Sequence, residues 1–140
     1  MNLGLLCFIA YRAMEVEVMK AVAEAGFDDL TVAQGRLAAR IGPEGTRLTE
    51  LAEQAQVTKQ TAGFLVDQLE RAGYVTRTPD PADARARLVR MAPRGEAVVA
   101  VARQAEARVE AEWTRHLGKR GTAQLRAALT SLREITDPYA

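Results

Sequence analysis

The 140-residue chain has one cysteine, Cys7, and one histidine, His116. A lone thiol excludes an intrachain disulfide framework and a cysteine-rich metal site, and it fits a reducing compartment. A lone histidine with no cysteine or acid at catalytic spacing leaves no nucleophile and base to pair. No GxSxG turn and no phosphate-cradling glycine loop occurs either. His116 reads as a helix C-terminal cap, and a non-enzyme with no catalytic residue, no metal and no cofactor is expected. Aromatic residues are scarce, at 5%. The apolar stretch from Leu3 to Ala10 is too short to span a bilayer, and no basic residue precedes it as in a signal peptide. A cytoplasmic protein with no membrane partner is the expectation. A dominant charge is also missing, because the formal net charge is only +1.

What is present is ordinary for a globular chain: 48% hydrophobic and 26% charged residues. The length suits one compact domain, or one protomer of an intertwined oligomer. The charge is unevenly distributed. Between residues 71 and 94 six arginines face two aspartates, whereas residues 1–46 carry four bases and six acids. A basic patch near the middle of the sequence follows, with a weakly acidic end before it.

The pattern around that patch is specific. Residues 48–55 and 58–73 read as two short helices broken at Gln56-Val57, with Thr49 and Thr58 standing where N-caps are needed. Leu51, Ala52 and Ala55 face Ala62, Leu65, Val66 and Leu69, and the small residues permit a close crossing. Gly73 closes the second helix. Strand-like runs at 74–78 and 87–91 flank a charged turn at 79–86, and Arg47-Leu48 offers a short third strand. The fold class is mainly α with a small β-ribbon: a winged helix-turn-helix core. Such a module offers one helix to a DNA major groove and a basic loop to the flanking backbone or minor groove.

Helices flank this core. Residues 3 to about 25 alternate apolar faces, one formed by Cys7, Tyr11, Met14, Val18 and Val22 and another by Leu6, Ile9, Ala10 and Ala13. Thr31 and Gln34 have capping-box spacing for a short helix reaching about Ile41. Pro93 suits the first position of a long helix to about Leu117 with a stripe of Val98, Val101, Ala105, Val109 and Trp113. Gly118 to Gly121 break the chain, and Thr122 opens a last helix. These outer stripes exceed what a small core can cover, so the economical arrangement is a homodimer. The expected layout is a single domain over 1–140, with dimerisation helices at about 1–30 and 96–140 and a DNA-binding lobe at 31–95.

The element order, the turn Asp80-Pro81-Ala82-Asp83-Ala84-Arg85, and the following Leu88-Val89-Arg90-Met91 with Gly95 resemble the MarR family of bacterial transcriptional regulators. The resemblance covers nearly the whole chain. It implies a homodimeric regulator, usually a repressor, that binds a palindromic operator in double-stranded DNA. It further implies release by a small ligand or by cysteine oxidation. Ala92 departs from the family pattern, which often has a capping threonine there.

On that reading Gln60 is the best base reader, since its amide can donate and accept together at adenine. Lys59 suits a guanine edge or a phosphate. Thr58 and Thr61 are phosphate contacts or plain caps. Phe64 reads as a hydrophobic plug, with a thymine-methyl contact as the other reading. Arg85 matches the family's wing arginine, Arg77 and Arg87 are phosphate contacts, and Asp80 and Asp83 hold the turn and orient Arg85 or Arg87. Arg90 and Arg94 could equally be solvated ribbon charges. For the trigger, the resemblance implies a small aromatic ligand near the dimer seam, with Tyr11, Arg12, Met14 and Arg40 as candidate lining and Trp113 more remote. The alternative is oxidation of Cys7 by an organic hydroperoxide. The segment from Leu6 to Tyr11 resembles the family's peroxide sensors, but two further tyrosine positions are Ala21 and Val32 here. A winged helix used only for protein contact is the remaining alternative.

Overall fold

Caps set the ends of the central helices in the computed structural model, which describes residues 1–140. Thr31 and Gln34 form the reciprocal capping box of a short helix, α2 (Val32–Ala38), after the long first helix α1 (Leu3–Glu24). A two-residue strand β1 (Thr46–Arg47) runs directly into α3 (Leu48–Ala55). Thr49 is therefore inside the helix and does not cap it. The cap position falls to Arg47, which makes no side-chain capping bond, because strand pairing carries the chain straight into the first turn. Helix α3 ends at Gln56, whose left-handed φ of 56° is uncommon without a glycine. Its side-chain amide donates to the Glu53 carbonyl at 2.7 Å, satisfying an acceptor left over at the helix end.

Helix α4 (Lys59–Arg71) starts at Thr58, whose hydroxyl oxygen accepts from the Thr61 amide at 3.0 Å. It stops at Gly73, one residue beyond the cap Ala72, with φ of 82°. The Tyr74 amide reaches the Leu69 carbonyl and the Gly73 amide the Glu70 carbonyl, the pairing of a Schellman motif.

The ribbon is longer than the sequence suggests. Strands β2 (Val75–Asp80) and β3 (Asp83–Met91) leave only Pro81-Ala82 as the turn, with a register irregularity between Pro79 and Asp80. The sheet order is β1-β3-β2, all antiparallel, so β2 is an edge strand and tolerates Pro79. Thr46 pairs with Val89 and Arg47 with Leu88, which moves the short third strand one residue earlier than the expected Arg47-Leu48.

The chain forms two compact units. Phe27–Ala100 is one, and Met1–Gly26 with Val101–Ala140 is the other. In the first, Leu37, Leu51, Val66, Leu69, Val75 and Val89 are fully buried and tie α2, α3, α4 and the sheet into one core. Val98, in the first turns of α5 (Pro93–Thr136), packs on its edge.

In the second unit Val22, Ala105 and Val109 are buried. Helix α5 leaves helical geometry only at Gly118, where φ is 79° and ψ 159°. The break is thus one residue, not the expected four, and Thr122 does not open a helix. Its hydroxyl instead meets that of Thr114 at 3.1 Å, and Arg126 pairs with Glu110 at 2.6 Å. Sixteen residues of straight helix would span about 24 Å, so the segment after Gly118 folds back on the one before it. Leu5, Leu6, Phe8, Ile9 and Val16 of α1 remain about half exposed in this unit, as do Leu117, Leu125, Leu129 and Leu132 of α5. No helix is long and apolar enough to cross a membrane.

Candidate nucleic-acid interface

Helix α4 divides cleanly by its own periodicity. Ala62, Leu65, Val66 and Leu69 are buried, which turns Lys59, Gln60, Thr61, Phe64 and Asp67 outward. Phe64 is 59% exposed, so the plug reading fails: the core side of α4 is already filled by residues one position either side of its face. Thr58 and Thr61 share their hydroxyls at 2.9 Å, as well as forming the cap.

The arginines that looked alike in sequence separate by their partners. Arg77 is held by Asp67 at 2.8 Å and Glu70 at 2.9 Å, both on α4, and its side chain is only 20% exposed. The expected phosphate contact at Arg77 is corrected accordingly: its charge is spent neutralising two carboxylates on the outward side of α4. Arg90 donates to the Thr78 hydroxyl at 2.9 Å. Arg94 lies over the Tyr74 ring at 4.2 Å, bonds to the Ala72 carbonyl and sits 3.5 Å from Asp29. The Tyr74 hydroxyl donates to that same Asp29, and burial, followed by this bond, pushes its pKa up to about 12. Arg94 therefore serves structure, clamping the start of α5 to the base of the ribbon.

Arg85 and Arg87 remain at the ribbon tip. Arg85 has a side chain 95% exposed, its backbone amide donating to Asp83 at 3.0 Å and its Nε 3.8 Å from that carboxylate. Arg87 is exposed opposite Pro79. Asp83 thus does sit beside Arg85, but Asp80 does not orient either arginine. Asp80 accepts from the Ala82 amide at 2.8 Å and from Arg47 at 2.7 Å, so it closes the turn and ties it to β1. Those two bonds, the amide first, hold its carboxyl below the usual 3.8, while the same pairing raises Arg47. Arg47 was missed as a site residue because only strand pairing 41 residues downstream brings it to the turn.

A group with a lowered folded-state pKa contributes stability above its unfolded value and loses it as pH falls through the folded one. The Ala82 amide should accordingly lose hydrogen-exchange protection only below about pH 4, the ordinary range for this carboxyl. Asp80→Asn should lower that protection at neutral pH and abolish its acid dependence. Persisting protection in the variant would show that the turn closes without the pair.

The trigger candidates are more scattered. Cys7 is exposed on α1, and the Tyr11 hydroxyl donates to Glu15 at 2.7 Å, which uses its one proton away from the thiol. A groove of about 970 Å³ runs between α1 and α5 and is lined by Phe8, Ile9, Arg12, Trp113, His116 and Leu117 among others. Arg12 lies 5.9 Å from the Phe8 ring centre, so a cation sits at an apolar wall. Tyr11 and Met14 do not line this groove, because helical spacing turns positions 7, 11 and 14 away from 8, 9, 12 and 16. Arg40 belongs to the other unit, where its Nε donates to Gln54 at 3.0 Å. Trp113, remote in sequence, is a wall of the groove.

Helix, left-handed turn, helix and an arginine-tipped antiparallel ribbon define a winged helix-turn-helix DNA-binding protein. Residues 28–86 match the model of the MarR family. A transcriptional regulator from Thermotoga maritima is 31% identical over 96% of this chain and 91% of its own, with a TM-score of 0.62. The crystal structure of a MarR protein is 27% identical over 96% of each chain, with a TM-score of 0.76. A mutant MarR from E. coli, solved with operator DNA, shares the fold at 23% identity and a TM-score of 0.70, covering 93% of this chain and 92% of its own. No curated protein matches the chain. The chain belongs to the MarR family of DNA-binding transcriptional regulators.

Proposed function

We propose that the protein is a homodimeric repressor that grips a roughly palindromic operator and is released by a small aromatic ligand. The observation that carries the DNA-contact model is the sorting of charges. Arg85 and Arg87 project unspent from the ribbon tip while Arg77, Arg90 and Arg94 are committed to the protein itself. In this reading Gln60 reads an adenine edge, Lys59 a guanine edge or phosphate, and Thr58 and Thr61 meet phosphate oxygens near the helix N-terminus. The carboxylates of Asp67 and Glu70, neutralised by Arg77, no longer repel the backbone.

Dimerisation is supported by the apolar faces of α1 and of the end of α5, which include Leu125, Leu129 and Leu132. Exposed apolar surface on this scale is removed from water most simply by a second copy. Two reading heads then sit about one helical turn, roughly 10 bp, apart. The ligand reading rests on the groove walled by Phe8 and Trp113 with Arg12 at its side, a setting for an aromatic acid. No catalytic step is part of this proposal.

Footprinting on the DNA upstream of its own gene, with and without salicylate, tests the proposal. Protection of two half-sites that disappears with salicylate is expected. Weak binding indifferent to sequence would favour a protein-contact module. Release by an organic hydroperoxide that is lost in Cys7→Ser would favour oxidation over ligand. Gln60→Ala should cost about 1–3 kcal/mol at a single operator position in each half-site. An equal loss on random DNA would instead mark Gln60 as a backbone contact.

A further inference from the structure

We propose that Phe64 is a specificity-determining residue that reads the C5-methyl group of a thymine in the major groove, next to the base read by Gln60. The inference rests on the reading of α4 as the major-groove element and names what its apolar position recognises. Phe64 stands one helical turn after Gln60, and the two line one shallow concavity with Thr61, Gly63 and Asp67. Its ring is 59% exposed and contributes nothing to the buried side of α4, which Ala62, Leu65, Val66 and Leu69 fill without it. Gly63 puts no side chain beside the ring. Asp67, the one carboxylate on this surface, is bound to Arg77 at 2.8 Å, so its charge does not keep the ring away from the phosphate walls.

An apolar side chain in that position has one apolar group to meet on a base edge in the major groove, the thymine methyl. Four residues of helix advance about 6 Å, and base pairs are about 3.4 Å apart along the duplex. The thymine therefore lies within about two base pairs of the base under Gln60.

The test uses the full-length protein and a duplex selected by it from a randomised library, in which each thymine is replaced in turn by deoxyuridine. This change removes one methyl group and leaves every hydrogen bond of the base pair intact. Wild-type protein should lose about fourfold in affinity for one thymine per half-site, and about fifteenfold when both are replaced. Phe64→Ala should bind the thymine and deoxyuridine duplexes equally, and Phe64→Leu should keep part of the discrimination. Because the ring is outside the core, the thermal unfolding of Phe64→Ala should match that of wild type. Wild type indifferent to every replacement, or Phe64→Ala still discriminating, would overturn the proposal while Gln60-dependent selection still stood. A library that yields no preferred duplex would remove the major-groove reading itself, and this inference with it.

Discussion

A Gly95→Ala variant should lose at least about 3 kcal/mol of stability and unfold roughly 10 °C lower than wild type. Intrinsic helix propensity alone points the other way, since alanine in a helix is favoured over glycine by about 1 kcal/mol. Contact geometry reverses the sign. A Cβ at Gly95 would stand 2.2 Å from the Tyr74 carbonyl oxygen and 2.8 Å from the Met91 sulfur. The first turn of α5 would have to lift, breaking the 2.9 Å bond from the Ala92 amide to that carbonyl and the stack of Arg94 on Tyr74. Gly63→Ala is the control: its nearest neighbour would be Leu48 Cδ2 at 3.7 Å, an ordinary contact, so propensity should win. That variant should gain about 0.5–1 kcal/mol. Calorimetric unfolding of both variants decides the matter. A stable Gly95→Ala protein would mean that α5 does not press on the ribbon as described.

Replacing Arg85 and Arg87 together by alanine should weaken binding to every duplex by roughly a hundredfold at 0.15 M salt, whatever its sequence. Four arginines leave the interface of a dimer. About six phosphates neutralised in all would give log K a slope near −5 against log salt, and the double variant should flatten that slope by about 3 to 4. The backbone and minor-groove contacts proposed for the wing are charge contacts, so affinity should fall while base preference stays. Arg90→Ala, which removes a charge already turned to Thr78, should leave the slope nearly unchanged. Titrations at several salt concentrations separate the two cases. An unaltered slope in the double variant would take the ribbon tip out of the interface.

The contrast among these arginines shows how far the chain could be understood before its coordinates. Thr31, Thr58 and Gly73 announce helix ends through contacts with residues at most five positions away, and those positions were legible. Thr49 was misread because a cap depends on what precedes the helix, here a strand that pairs with distant β3. The turn was read as eight residues because its charges look like a loop. Asp80 shortens it by bonding Ala82 and reaching Arg47, 33 positions earlier. Phe64 counted as an interior residue on composition, although its position relative to Leu65 and Leu69 already turned it outward.

Family, element order and the two reading elements thus follow from local chemistry: apolar spacing, caps and a basic turn, each acting within a few residues. Which charges are free to meet a ligand does not. Arg77 and Arg85 have the same side chain in the same ribbon, and only packing gives one two carboxylate partners and leaves the other in water. Ion pairing depends on distances between groups far apart in the chain, and those distances exist only once the helices and the sheet have closed on their shared core.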